Sequence, residues 1–256
     1  IIGYGVIYIA LLLEITYHMQ DMPWGPISNV GLLFTIYYIF ILLMLRKQLR
    51  ISNDIQTGLL IILCFLMIIN ISAPTSEVVE DILSKGLQPS FYLLHLLQWI
   101  PLIYVLFKII PNTEFHKSKI SYWIISLAFI TSVSCELHHS YVLAVSQDVM
   151  SSYAAKKHFN IVYLPIIWTI LSSLFIYIGL KKDIQEYSKI GFVLVGIMVL
   201  KLYGYDVWQM DNISRISAFI ALGVILLLSS FTFQRLKNII RNMVDKKGKN
   251  EENTDL

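Results

Sequence analysis

The sequence predicts an all-α protein that crosses a membrane several times, and three observations support this prediction. Hydrophobic residues make up 56% of the chain and charged residues only 14%. The mean hydropathy of +0.66 lies well above that of a soluble domain. Apolar runs close to the roughly 20 residues that cross a hydrocarbon core recur along the chain. The predicted fold class is therefore a polytopic transmembrane helix bundle.

About eight apolar runs are long enough to be spans, and short polar connections separate them. Their side chains show no alternation of the kind that a membrane β-barrel requires. The third run is short and is expected to recruit flanking residues. The predicted spans lie near residues 1–17, 30–45, 58–71, 91–110, 120–137, 161–180, 190–207 and 216–233.

The start of the chain and its cysteines add two smaller expectations. Ile1 lies inside an apolar run with no basic residues before it, which is not the pattern of a signal peptide, and we expect a further segment upstream. Cys64 and Cys135 both lie within hydrophobic runs. Such cysteines are usually small core residues rather than a disulfide or a metal pair.

The distribution of Lys and Arg predicts the orientation, because basic residues near span ends are retained in the cytoplasm. One set of connections, together with the C-terminal tail, carries fourteen basic residues, and the other set carries four. Both ends of the chain are therefore expected in the cytoplasm. The fourteen are Arg46, Lys47, Arg50, Lys117, Lys119, Lys181, Lys182, Lys189, Arg235, Lys237, Arg241, Lys246, Lys247 and Lys249; the four are Lys85, Lys156, Lys157 and Arg215.

The predicted domains are a transmembrane bundle over 1–236 and a basic-to-polar cytoplasmic tail over 237–256. The bundle divides into halves 1–111 and 112–236 that resemble each other. Glu14 closes the first span much as Glu136 closes the fifth. Two interpretations stay open: a parallel four-plus-four repeat, or the general similarity of apolar helices. Within the connection 76–90, helically spaced Val78, Val79, Ile82 and Leu83 predict an interfacial amphipathic helix.

Ionisable residues at membrane depth are the candidates for a binding site, since burying a charge in a bilayer is costly. The substrate- or ion-binding candidates are Lys201, Asp206, Arg215, Glu136, His138, His139 and Glu14. In one interpretation the cations bind an anion at the outer leaflet, and the carboxylates are their proton or cation partners. In the other, the charges pair to neutralise one another.

Helix geometry favours one of these pairs. Lys201 and Asp206 are five residues apart, about 140° around a helix, so they do not share a face. Arg215 begins the next predicted span, and we expect Asp206 to pair with Arg215, with Lys201 or with both, Arg215 being the favoured partner.

Spacing also suggests, without establishing, a metal site. Glu136 and His139 lie three residues apart, and Glu14 and His18 four apart, spacings that metal-binding helices use. No third or fourth ligand follows from the spacing, so we predict no metal and no cofactor. Phosphate-binding loops, nucleophile elbows and dinucleotide fingerprints are missing from the sequence, which leaves the catalytic residues unknown and an enzyme the less favoured class.

The last third of the chain carries a pattern of residues that resembles a known family. Over about 161–237 it is similar to the C-terminal part of a family of large bacterial predicted membrane proteins, domain-of-unknown-function 2339. The resemblance implies a bacterial inner-membrane location and a longer parent chain, and it implies no activity. The pattern consists of Trp168 to Ser173, Gly179, Lys201, Leu202, Asp206, Arg215, Ile216, Phe219, Leu222, Gly223, Ser230, Phe231, Gln234 and Arg235.

Three hypotheses about function follow from the sequence. The first is a transporter-like or envelope-associated protein that handles a lipid, a glycan or a small anion at the outer leaflet. The second is a structural module of a larger complex with no site of its own, and the third is an intramembrane transferase. The lipid bilayer is the expected partner in each case. Nucleic-acid binding is not expected, because a basic tail in such a protein indicates topology and lipid contact.

Overall fold

The computed structural model describes residues 2–206, except 114, 116 and 117, and a few separate positions between 213 and 227. The chain forms two compact units, Ile1–Gly196 and Ile197–Leu256. Every regular element in the described part is helical, which confirms the predicted all-α class. The candidate site lies entirely within the first unit.

Nine α-helices occur in the described residues, and short 3₁₀ and π segments extend several of them. The α-helices are α1 Ile2–His18, α2 Trp24–Met44, α3 Asn53–Ser72, α4 Pro74–Leu83, α5 Trp99–Tyr104, α6 Lys119–Val145, α7 Val149–His158, α8 Leu164–Lys181 and α9 Gln185–Lys201. The 3₁₀ segments are Pro89–Gln98 and Ile110–Asn112, and the π segments are Val105–Ile109, Phe159–Tyr163 and Leu202–Asp206.

Six helical stretches among the described residues are long and apolar enough to cross a membrane, and they match the second to seventh predicted spans. The 17-residue α1 coincides with the first predicted span. The predicted eighth span, 216–233, has only isolated described positions, and the tail 237–256 lies outside the described residues. The six stretches are Trp24–Met44, Asn53–Leu83, Pro89–Ile109, Lys119–Val145, Val149–Lys181 and Gln185–Tyr205.

The connections over residues 76–90 and 140–160, both longer than a turn requires, contain helix. In the first, α4 begins at Pro74, where a proline without an N–H fits the first turn of a new helix. In the second, α6 continues to Val145 and α7 follows after a three-residue break. Asp148 and Ser151 form a capping box there, which satisfies the free N–H groups at the start of α7. Both connections are therefore part of the helical bundle.

Two apolar cores hold the first unit together. The larger lies between α2, α3 and the stretch after Trp99, and it includes the fully buried Ile36, Leu43 and Leu60. The smaller joins α4, α6 and α7 through Val79, Val142 and neighbouring side chains. The predicted amphipathic helix is present as α4, and its apolar face packs against protein rather than remaining exposed.

A buried network of amides and a hydroxyl ties α2, α3, α4 and the 3₁₀ segment together. Asn29 donates to Asn70 Oδ1 (3.3 Å) and Thr75 Oγ1 (3.0 Å), and Asn70 donates to Gln98 Oε1 (3.2 Å). All four side chains are at most 3% exposed. Since apolar packing gives little driving force between helices in lipid, such polar contacts help to fix which helices are neighbours.

Candidate functional site

The 3₁₀ segment Pro89–Gln98 places three polar side chains in one row. A 3₁₀ helix has three residues per turn, so side chains at i and i+3 eclipse one another. Tyr92, His95 and Gln98 fall at this spacing. Gln98 joins the amide network, whereas Tyr92 and His95 both contact Glu136 on α6. Runs of more than three or four such residues are uncommon, and this segment has ten.

Glu136 is the centre of a polar cluster that joins α6 to the 3₁₀ segment. Its Oε2 lies 2.6 Å from His95 Nε2 and accepts from Trp99 Nε1 at 3.3 Å. Its Oε1 accepts from the Tyr92 hydroxyl at 3.3 Å, and that hydroxyl also contacts Ser140 Oγ at 3.1 Å. The side chain of His95 is 1% exposed and that of Glu136 is 19% exposed. A carboxylate with this many donors is firmly oriented.

Both ring nitrogens of His95 have partners. Nδ1 contacts the Tyr92 carbonyl oxygen, which can only accept, and Nε2 contacts the Glu136 carboxyl group. The His95 ring is therefore fixed between its own 3₁₀ segment and α6.

A cavity of about 370 Å³ lies beside this cluster, between α3, α4, α6, α8 and the π segment Phe159–Tyr163. We call it the histidine cavity. Its volume falls within the range of small-molecule sites. A π segment in its wall is consistent with a site, because π turns within helices are frequent at functional positions. It is lined by Ser72, Ser76, Ile130, Thr131, Ser134, Cys135, His138, His139, Phe159, Asn160, Leu164 and Trp168.

His139 stands out among the residues that line the cavity. It is 3% exposed, and its Nδ1 is buried with no hydrogen-bond partner among the described residues. Leaving a buried polar atom unpaired costs roughly 1–3 kcal/mol, so nearly all such atoms in proteins have a partner. The neighbouring His138 ring lies edge-on to His139 at 5.4 Å and to Phe159 at 5.1 Å. The two imidazoles and Phe159 thus pack against one another in the cavity wall.

The cavity lies at the end of the bundle away from the basic connections. α6 begins at Lys119, and His139 lies 20 residues further along, about 30 Å at 1.5 Å per residue. Ser72 ends α3, whose first residues follow the connection that contains Arg46, Lys47 and Arg50. Since α3 and α6 each start near a basic connection, their far ends share the opposite side.

The structure brings together some of the predicted site residues and separates others. Glu136, His138 and His139 lie at one site. Glu136 contacts His95 rather than the His139 that its spacing suggested. Glu14 lies on α1, exposed and 3.1 Å from His18, so it belongs to a different location. Among the described residues, no group of three His, Cys, Asp or Glu is placed to hold a metal.

The remaining predicted residues belong to the second unit. Lys201 ends α9, and Asp206 ends the π segment that follows. Arg215 lies outside the described residues, so the expected pairing of Asp206 with Arg215 stays a prediction. Both cysteines are free thiols, with Cys64 in the core and Cys135 on the cavity wall.

Sequence analysis missed the residues that complete the site on the 3₁₀ segment: Tyr92, His95, Gln98 and Trp99. A signal was present, because three polar residues recur at a period of three inside an otherwise apolar run. A period of three is unusual for an α-helix, whose faces repeat at 3.6 residues. In this segment the three-residue period reflects the 3₁₀ geometry and identifies the face that packs against neighbouring helices.

The helices and the polar site among them define a polytopic α-helical membrane protein. The chain belongs to the family described as "Predicted membrane protein (DUF2339)", whose sequence model matches residues 2–236. The match extends the resemblance noted for the last third of the chain to nearly all of it. No curated protein and no solved structure matches the chain.

Proposed function

We propose that the chain is a membrane-embedded binding component, transporter-like or envelope-associated, that holds a lipid headgroup, a glycan or a small anion in the histidine cavity. The observation that carries this proposal is a cavity of about 370 Å³ whose lining includes several polar side chains, His138 and His139 among them. Cavities of this size with a few convergent polar groups are typical of small-molecule sites.

Several polar groups in the first unit are paired as a purely structural protein would require. The His95–Glu136 pair and the Asn29–Asn70 contact join different helical elements. Among the described residues, Gln98 Nε2, Ser126 Oγ and Ser146 Oγ are buried without a partner, as His139 Nδ1 is, but of these four residues only His139 lines the histidine cavity. This position of His139 favours a binding site over a scaffold.

The proposal includes an orientation of the chain in the membrane. With fourteen basic residues on one side and four on the other, both ends lie in the cytoplasm of a bacterial cell and the protein spans the inner membrane. The cavity then opens toward the extracytoplasmic side. The bundle occupies residues 1–236 as two parallel halves, 1–111 and 112–236, with residues 237–256 as a cytoplasmic tail.

The two native cysteines provide the test. Cys135 lines the cavity, whereas Cys64 is 4% exposed in the core. Two matched variants, Cys64→Ala and Cys135→Ala, each leave one thiol. Intact cells are treated with a membrane-impermeant methanethiosulfonate, and modification is followed by mass spectrometry. Because thiol reactivity depends on access, we expect Cys135 to react about tenfold or more faster than Cys64.

Two results would overturn parts of this proposal. If Cys135 reacts no faster than Cys64, the cavity does not admit water, and the chain is a structural module. If Cys135 reacts only after the cells are permeabilised, the cavity opens toward the cytoplasm. A reporter fused within 181–189 checks the same orientation independently, since its signal is expected on the cytoplasmic side.

A further inference from the structure

We propose that the histidine cavity binds an uncharged, hydroxyl-rich group, a sugar or another polyol, in preference to an anion. This inference rests on the proposed function and specifies the ligand class for the same site. Among the described residues, the lining contains four hydroxyl side chains, one amide, two imidazoles and a thiol, and none of these lining residues carries a carboxylate, ammonium or guanidinium group.

The lining matches the hydrogen-bonding chemistry of hydroxyl groups. A hydroxyl both donates and accepts, so it pairs equally well with Ser and Thr hydroxyls, with an amide and with a neutral imidazole. An anion only accepts, and moving it out of water without a countercharge is costly. Proteins usually place Arg, Lys or a metal against anions. A cavity lined by neutral donors and acceptors therefore favours a neutral ligand.

Two charged groups near the cavity are paired with residues outside its lining. Glu136 accepts from His95, Trp99 and Tyr92. Lys156 on α7 lies 2.5 Å from Glu80 Oε1 on α4. Both groups are therefore engaged by partners other than a ligand in the cavity.

Two aromatic walls give the cavity apolar surfaces beside its polar groups. Trp168 donates from Nε1 to Ser134 Oγ at 3.0 Å, which fixes the indole ring. Phe159 packs edge-on to His138 at 5.1 Å. A sugar ring presents both hydroxyls and apolar C–H faces, and large fixed aromatic rings bury such faces without losing mobility of their own. The combination of aromatic walls and hydroxyl-pairing groups suits a sugar better than an alkyl chain.

The test measures protection of Cys135 from N-ethylmaleimide in the Cys64→Ala protein, reconstituted in phosphatidylcholine nanodiscs that contain no sugar detergent. Three probes share one alkyl chain and differ in headgroup: octyl β-glucoside, octyl phosphate and octyltrimethylammonium. A fourth, methyl β-glucoside, carries the sugar without the chain. Alkylation rates are read by mass spectrometry at increasing probe concentration.

We expect octyl β-glucoside to slow alkylation at a concentration about tenfold below that needed for octyl phosphate or octyltrimethylammonium. His139→Leu removes the imidazole and should raise the glucoside concentration for half protection by about three- to tenfold, the loss of one buried hydrogen bond. His18→Leu, on the exposed surface of α1, is the matched control and should leave protection unchanged. Protection by methyl β-glucoside supports a free sugar, and protection by the octyl form alone supports a lipid-linked one.

The outcomes separate the ligand class from the function. Equal or stronger protection by octyl phosphate would overturn the neutral-ligand inference while the binding cavity stands. Equal protection by all three octyl probes would show that the alkyl chain occupies the cavity, which also overturns it. Protection by none of the probes contradicts the inference too, whereas a Cys135 that fails to react without any probe overturns the proposed function itself.

Discussion

Two contacts between a glutamate and a histidine occur among the described residues, and they differ in sequence separation, distance and burial. Glu14 and His18 lie four residues apart on α1, 3.1 Å from each other, with side chains 69% and 70% exposed. Glu136 and His95 lie 41 residues apart on different elements, 2.6 Å from each other, with side chains 19% and 1% exposed. The first pair is visible in the sequence, and the second is not.

Burial and additional hydrogen-bond donors, rather than the residue types, therefore determine how much such a pair contributes to stability. An exposed pair on one helix turn is worth a few tenths of a kcal/mol, because water screens it. A buried pair holds two helices together, and removing one member leaves the other without compensation. The second pair also lies close to the histidine cavity, because Glu136 follows the cavity-lining Cys135 on α6.

The largest expected effect is that of Glu136→Leu. It removes the acceptor of His95, Trp99 and Tyr92, so we expect the free energy of unfolding to fall by about 3–5 kcal/mol. Denaturant titration in mixed micelles measures it. Adding His95→Phe should then cost much less than His95→Phe alone, since both changes break one unit. A loss below about 1 kcal/mol for Glu136→Leu would mean that the buried pair is no stronger than the exposed one.

Asn70→Leu tests whether a buried polar contact between uncharged side chains also contributes to the stability of the fold. Asn70 accepts from Asn29 and donates to Gln98, so the change leaves the Gln98 amide oxygen without its donor, while Asn29 keeps its bond to Thr75. A buried group left unpaired costs roughly 1–3 kcal/mol, so we expect a loss of about 2 kcal/mol. The neighbouring Ile69, which is 47% exposed, provides the control Ile69→Leu, expected near zero. If neither variant lowers the free energy of unfolding, buried contacts in this bundle contribute to stability only when they involve a charge.

Asp148 tests a carboxylate that is exposed but tied to the backbone. It accepts the Ser151 N–H at 2.7 Å, and this hydrogen bond lowers the pKa of Asp148 below its usual 3.8. A lowered pKa in the folded state means that the stabilisation is present above the unfolded pKa and is lost as the pH falls through the folded pKa. Amide protection factors at the start of α7 should therefore decrease in acid. Asp148→Asn should remove that pH dependence, and an unchanged dependence would argue against the cap.

The smallest expected effect is that of Glu14→Gln. It removes the charge of an exposed pair, so the free energy of unfolding should change by about 0.5 kcal/mol or less, and the change should shrink further in high salt. The same titration used for Glu136 measures it. A loss comparable with that of Glu136→Leu would show that α1 buries this pair against something other than solvent.

Most of the helical architecture could be predicted from the sequence, because a span is a local property. A stretch of about 20 apolar residues crosses the membrane as a helix wherever it occurs, since the bilayer leaves no other way to satisfy its backbone. The six described spans match predicted ones, and α1 matches the first. Glu136, His138 and His139 could be chosen as candidates from the sequence, because an ionisable residue inside an apolar run is conspicuous by itself, and their role in a site stays a prediction.

The tertiary structure alone decided which of these residues act together. His95 lies 41 residues from Glu136, and no local pattern links them; they meet because a ten-residue 3₁₀ segment turns Tyr92, His95 and Gln98 toward α6 and α3. Contacts between helices in a bilayer depend on packing and a few polar bonds rather than on hydrophobicity, so they leave little trace in the hydropathy of either helix. The histidine cavity has the same origin, since five separate elements form its wall.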